Sequence, residues 1–364
     1  MITKNETGKI NMITNYFSGV LERRKGLIII LCLSAVLKVC LSLSGNTINP
    51  DADDFIWAAQ LFADGNFEEG AALAPSAFHS LLIAMAHIVI SDWLVAAMFI
   101  TISMSIFVLV PLYLITRELL GRKAAFWSCL LFAIAPVPNE ASIEIIRAPG
   151  FLFFFGWGVY FSIKALREKK LYQFLLVGVF SLASILLRDE GVVLIIVFLA
   201  FVLFMASWKT GERKAMLKGL ALWVAIPLFS VGFFFLVSGS EGEVVKTAGK
   251  IYGEVEDFVN LEFLDNYKRI YSQLKDLEAE AVFPKGKQNL AEIARHYMSV
   301  LYLIGLLQVL IKVLFPLYLI PLLLGFRKSM DRGGIFLLTL TFFYILMIYY
   351  RLIDRDFIQD RFLF

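Results

Sequence analysis

The sequence predicts an all-α, polytopic membrane protein of about nine transmembrane helices, and three kinds of observation predict it. Hydrophobic residues make up 59% of the 364 positions and the mean hydropathy is +0.75, well above the roughly 45–50% apolar content of a soluble domain. Apolar runs close to the roughly 20 residues that cross a bilayer recur along the chain. The connections between these runs alternate between rich and poor in Lys and Arg, the bias that orients membrane proteins.

In order, the candidate spans are Gly26–Leu43, Trp93–Ile115, Ala124–Val137, Pro149–Leu166, Leu171–Leu187, Gly191–Trp208, Leu220–Val237, Ser299–Phe326 and Ile335–Tyr350. A further apolar run, Ser76–Ile90, is short and holds His79 and His87. Charge decides whether it crosses. With Ser76–Ile90 lying in the interface, the segments on one side hold 18 basic residues and the short segments on the other hold five. Making it a span would invert every later loop against the positive-inside rule. The expected result is a multi-pass protein of the cell's inner membrane with a cytoplasmic N-terminus and an external loop at residues 45–92. The expected organisation is an N-terminal bundle at 1–237, an external helical segment at 238–298 and C-terminal spans at 299–364.

Composition narrows the function classes. A net charge of +3 carries no basic patch, so nucleic acid is not an expected partner. Cys32, Cys40 and Cys129 lie in apolar runs without metal-site spacing or a neighbouring His and read as core or lipid-facing residues. Lys4, Lys9, Arg23, Arg24 and Lys25 precede the first run with no small-residue cleavage site after it, so the segment reads as a retained anchor. No Gly-rich phosphate loop, Cys/His cluster or Ser/His/Asp order is present. No cofactor is therefore called for, and a divalent metal stays open.

The chemistry-bearing residues gather on the predicted external side. Asp51, Asp53 and Asp54 follow the first span, with no Lys or Arg between Asn46 and Trp93. They open a segment whose Phe55, Trp57, Ala58, Leu61 and Phe62 suit a short helix lying on the membrane, closed by Asp64-Gly65. One of the three acids is expected to serve as its N-cap, and three exceed what capping needs. Glu140, Glu144 and Arg147 have i, i+4 and i+3 spacing, which would set them on one helical face, either as a solvated group or as a second polar wall of an external cavity. In Leu187-Arg188-Asp189-Glu190-Gly191, Arg188 and Glu190 either pair with each other or face a charged ligand, for which phosphate suits a guanidinium. His296 precedes a later span, and Lys312 is an ionisable residue inside it, a functional suspect by position.

At these residues the chain resembles the GT-C glycosyltransferases, the multi-spanning class that includes lipid-A aminoarabinose transferases and protein O-mannosyltransferases. Asp51, with Phe55 four positions on and Ala59 eight on, is similar to the first-loop motif of that class, although Ala52 stands where a Glu is frequent. Ile146-Arg147-Ala148-Pro149-Gly150-Phe151 is similar to its Leu-Arg-Glu-Pro-Leu-Phe pattern without the Glu. Leu187-Arg188-Asp189-Glu190-Gly191 is similar to Arg-Pro-Glu-Gly, and Arg361-Phe362 to an Arg-Tyr pair that precedes further spans, which implies a shortened member. The resemblance implies a GT-C-like bundle and transfer of a sugar from a polyprenyl-phosphate donor to a lipid, glycan or protein acceptor at the external face. Asp51 would be the catalytic carboxylate, with Asp53 or Asp54 as a second acid. Arg147, Arg188 and Lys312 would hold the donor phosphate, with Glu140, Glu144, Glu190, His79 and Arg361 around them. A transporter or a lipid or glycan flippase is the alternative; against it, these charges gather on one face and not at the midplane.

Overall fold

The computed structural model describes residues 25–44, 49–74, 76–208, 211–238, 253, 260, 263–280, 290–308, 310 and 331–355. Every regular element among them is helical. Chain contacts divide the molecule into two compact units, Met1–Phe233 with Arg327–Leu337, and Phe234–Phe326 with Leu338–Phe364.

The first unit begins with α1 (Lys25–Ser44), then three short helices, α2 (Pro50–Ala63), α3 (Phe67–Leu73) and α4 (Ala77–His87). Next come α5 (Trp93–Phe107), α6 (Leu109–Leu120), α7 (Arg122–Ile134) and α8 (Pro136–Ile143). The unit continues with α9 (Ala148–Glu168), α10 (Leu171–Leu187), a single 3-10 turn at Asp189–Gly191, α11 (Val192–Trp208) and, up to Phe233, α12 (Arg213–Ser238). Five helical stretches are long and apolar enough to cross a membrane: Lys25–Ser44, Trp93–Leu120, Ala148–Glu168, Asp189–Trp208 and Arg332–Tyr350. The described residues thus carry five such spans, or six if the bent pair α7–α8 counts as one.

How α1 sits follows from its sequence. Gly26, Ile30, Ser34 and Lys38 recur every fourth residue and form the buried stripe, while Ile28, Ile29, Val36 and Leu43 stay exposed. This is the pattern of a helix with one face on protein and the rest on lipid. Cys32 and Cys40 lie on the exposed side and Cys129 is buried.

The expected span Ala124–Val137 is not continuous. Ala135 is extended at φ −62°, ψ 133° and the axis turns by 55° into α8, because a residue before proline is pushed out of the helical region. The Ala133 carbonyl freed at this break is met by Asn139, whose Nδ2 donates to it at 3.0 Å and also to Ala135 O at 2.8 Å. The short α4 has 11 residues, about 16 Å at 1.5 Å per residue against a hydrocarbon core of roughly 30 Å, consistent with the interfacial reading.

Helices α9 and α10 pack along their lengths, and α9 also meets α5 and α6. At the α9 C-terminus, Arg167 bonds Glu118 at 2.9 Å and pairs with Asp331, and Lys164 pairs with Glu168. Nearby, Glu212 receives Lys169 at 2.7 Å and Arg332 at 3.2 Å. Segments predicted to share the basic side therefore meet in an ion-pair network of two neighbouring groups, at the opposite end of α9 from Arg147. The 21 residues of α9 separate the two ends by about 30 Å.

In the second unit, α13 (Phe263–Glu280), α14 (Leu290–His296), α15 (Met298–Gln308) and the later part of α16 (Arg332–Arg355) are described. Leu306, Ile348 and Leu352 form its core with Tyr302, Tyr344 and Tyr349. Asn266 donates to Ile353 O at 3.0 Å and Arg295 to the Tyr271 hydroxyl at 2.8 Å. The helix expected in the polar segment is present as α13, with Tyr267, Ile270 and Leu274 half-buried.

Candidate active site

Helix α2 carries the first acids, and its start is built by Asn49. The Asn49 side chain accepts from Asp51 N–H at 3.0 Å and its carbonyl from Ala52 N–H at 2.8 Å. Pro50 fills the first helical position, where a missing N–H costs nothing. The cap expected from an aspartate is therefore supplied by asparagine. All three carboxylates sit in or beside the first turn, where the helix dipole favours negative charge.

The structure separates those acids. Ala52, Phe55, Ala58, Ala59 and Phe62 form the buried stripe of α2, and Asp51, one residue before it, is half-buried, whereas Asp53 and Asp54 are exposed. The stripe differs from the expected membrane face: Trp57 is 60% exposed, and the apolar side of α2 lies on α4 and not on lipid alone. Three alanines allow that close approach, and Phe55, Ile83 and Ile145 fill the contact, each such burial contributing about 1.5–3 kcal/mol. Gly65, at φ +83°, follows the Asp64 cap, as the Asp64-Gly65 ending predicts.

Arg147, half-buried, stands at the N-cap position of α9, after a tight turn in which Ile146 N–H donates to Glu144 O at 2.9 Å. Helix α8 ends at Ile143, so Glu140, Glu144 and Arg147 do not share a helical face as the spacing predicts; Pro149, which lacks an N–H and would clash with the preceding turn inside a helix, sits instead in the first turn of a new one. Glu140 is exposed on α8. Glu144 turns back to α2, accepting from Asn49 Nδ2 at 3.2 Å.

The third wall is the turn after α10. Arg188 leaves the helix in extended backbone, and its guanidinium forks onto Glu190 through Nε at 3.1 Å and NH2 at 3.0 Å. Both side chains are buried, at 5% and 4% exposure. The Arg188 Cζ lies 5.6 Å from the centre of the Phe151 ring in α9, a cation–π distance. Ser76 donates to Leu186 O at 2.7 Å and ties the start of α4 to the same turn.

Arg147 joins these walls electrostatically. Burial and the neighbouring Arg188 lower its pKa, while Asp189, Glu190 and Asp51 oppose that shift. His79 of α4 is fully buried edge-on to Phe55, with ring centres 4.8 Å apart. Burial, reinforced by Arg147, pulls it down to about 4, so its ring is neutral. Asp51, His79, Arg147, Arg188, Asp189 and Glu190 thus form one cluster. Lys312 and Arg361 lie outside the described residues. Among the described residues, no three His, Cys, Asp or Glu side chains converge as metal ligands.

Asp189, quoted in the sequence reading only as part of the turn after Arg188, was not singled out there, and two supporting residues escaped it as well. Lys38 is fully buried in α1 and donates to Asn139 Oδ1 at 2.5 Å; a lysine inside the first span was the available signal. Asn49 is the other, visible only as a cap-forming residue before proline.

Residues 75–234 match the family model described as dolichyl-phosphate-mannose-protein mannosyltransferase, in agreement with the resemblance carried by the motifs. Comparison with curated protein sequences gives no match. The chain is similar to the apo crystal structure of the oligosaccharyltransferase from Archaeoglobus fulgidus, at 16% identity and TM-score 0.46, over 86% of this chain and 40% of that one. It is also similar to AglB, the archaeal oligosaccharyltransferase from the same organism in complex with an inhibitory peptide and a dolichol-phosphate, at 16% identity and TM-score 0.47, over 90% and 49%. The chain spans less than half the length of these solved proteins.

Proposed function

We propose that this protein is a GT-C-type glycosyltransferase that moves a sugar from a polyprenyl-phosphate donor to a hydroxyl or amide of a lipid, glycan or protein acceptor. The observation that carries the reading is Asp51: half-buried, relieved of capping by Asn49, and within the electrostatic reach of Arg147. The family match over residues 75–234, which contains Arg147 and Arg188, supports the same reading.

In the transfer, the acceptor atom bonds to the anomeric carbon as the bond from that carbon to the phosphate oxygen breaks. The acceptor proton passes to Asp51, and the electron pair leaves with the polyprenyl phosphate. Arg147 and Arg188 hold the phosphate and stabilise the charge it gains. The Arg188–Glu190 fork keeps that cation in place within the fold. The site end of α9 faces outward and the ion-pair network lies in the cytoplasm, with the N-terminus on the network side in the inner membrane.

The test is purified protein incubated with polyprenyl-phosphate sugars and analysed for product by mass spectrometry. Asp51→Asn should keep fold and lipid binding while transfer falls by roughly 10²–10⁴, the range for a lost general base. Asp53→Asn and Asp54→Asn should fall far less, since both are exposed. A wild-type rate in Asp51→Asn would remove its assignment. Transport remains the second reading because Lys38 is buried within a span; lipid or solute movement across vesicles without product formation would favour it.

A further inference from the structure

We propose that Glu144 is a positioning residue for Asp51, acting through the side-chain amide of Asn49. The proposal rests on the reading of Asp51 as the reacting carboxylate. An asparagine amide presents an oxygen on one side and an NH2 on the other, and a half-turn exchanges them. At Asn49 the oxygen accepts from Asp51 N–H at 3.0 Å and the NH2 donates to Glu144 Oε2 at 3.2 Å. The flipped amide would set donor against donor at Asp51 and acceptor against carboxylate at Glu144. Glu144 therefore selects the orientation in which Asn49 caps the helix. Because Pro50 has no N–H, the Asp51 amide is the first N–H of α2, so this cap holds the backbone of the reacting residue itself.

Glu144 is in turn well held. Its neighbour Ile145 packs in the same cluster as Ala52 and Phe55 of α2. The preceding α8 is fixed by Asn139, which accepts from Lys38 and closes the break after α7. The Ser142 hydroxyl donates to Asn139 O at 2.7 Å. Hydrogen bonds thus tie the first span to Asn139 through Lys38, and tie Glu144, just past the end of α8, to the residue that caps α2.

Hydrogen exchange and a mutant cycle test the link. Glu144→Ala should speed amide exchange in a peptide covering the start of α2 and leave the α9–α10 pair unchanged, a readout independent of any reaction. In transfer assays Glu144→Ala should lower kcat about five- to tenfold with donor KM unchanged, the scale of a lost cap. Glu144→Gln, which still offers an acceptor, should recover part of that loss. In an Asn49→Asp background the sign should invert: the new carboxylate caps α2 but repels Glu144, so adding Glu144→Ala should raise kcat. Equal losses from Glu144→Ala in both backgrounds, or unchanged exchange at α2, would overturn the relay. Faster exchange at α2 in a chain that makes no product from any polyprenyl-phosphate sugar would uphold the relay and remove the catalytic reading of Asp51.

Discussion

Arg188 and Glu190 are two residues apart and bound to each other by two hydrogen bonds of 3.1 and 3.0 Å, both buried. Removing one partner of such a pair leaves an uncompensated charge, a cost of about 3–5 kcal/mol. Arg188→Ala and Glu190→Ala should each lower the thermal midpoint in detergent. Arg188→Lys should recover only part, because the planar fork is lost. Equilibrium binding of a polyprenyl phosphate should weaken in both Arg188 variants.

Gly191 is required by the same turn. A Cβ there would stand 2.7 Å from Ser184 Oγ and 2.9 Å from the Ile185 backbone nitrogen, closer than real contacts allow. A rotating hydroxyl can yield, and backbone within a helix cannot do so cheaply. Gly191→Ala should therefore destabilise by about 1–3 kcal/mol, the scale of overpacking, and Ser184→Ala should not restore it. Thermal unfolding of the single and double variants checks this.

His79 sets an acid limb of stability. Its folded pKa of about 4 lies below the ordinary 6.5, so below pH 6.5 the unfolded chain takes up a proton that the folded chain refuses. Stability is full above that value and falls as pH drops from about 6.5 towards 4, by up to roughly 3 kcal/mol. His79→Phe should flatten the drop in thermal midpoint between pH 7 and pH 4.5.

Sidedness is checked by labelling. In a background without native cysteines, Asn66→Cys, exposed between α2 and α3, should react with an impermeant thiol reagent applied to intact cells. Lys123→Cys, exposed at the start of α7, should react only after permeabilisation. The reverse pattern would invert the orientation.

What the sequence by itself determined was set by solvent and by local chemistry. The hydrophobic runs dictate helices, since a bilayer leaves backbone groups no partner but their own chain. The Asp64-Gly65 ending and the tight Arg188–Gly191 turn are likewise local. Their causes lie within a few residues, so they can be read without a fold.

Only tertiary structure decided which of the three acids faces inward. Asp51, Asp53 and Asp54 are chemically equal in the sequence; the packing of α2 on α4 half-buries the first and leaves the others exposed. Helical spacing placed Glu144 beside Arg147, whereas packing turned it towards Asn49, 95 residues earlier. Lys38 and Asn139, 101 residues apart, meet for the same reason. A buried polar group must find a partner wherever the packed helices supply one, and spacing along a single segment carries no record of which helix that will be.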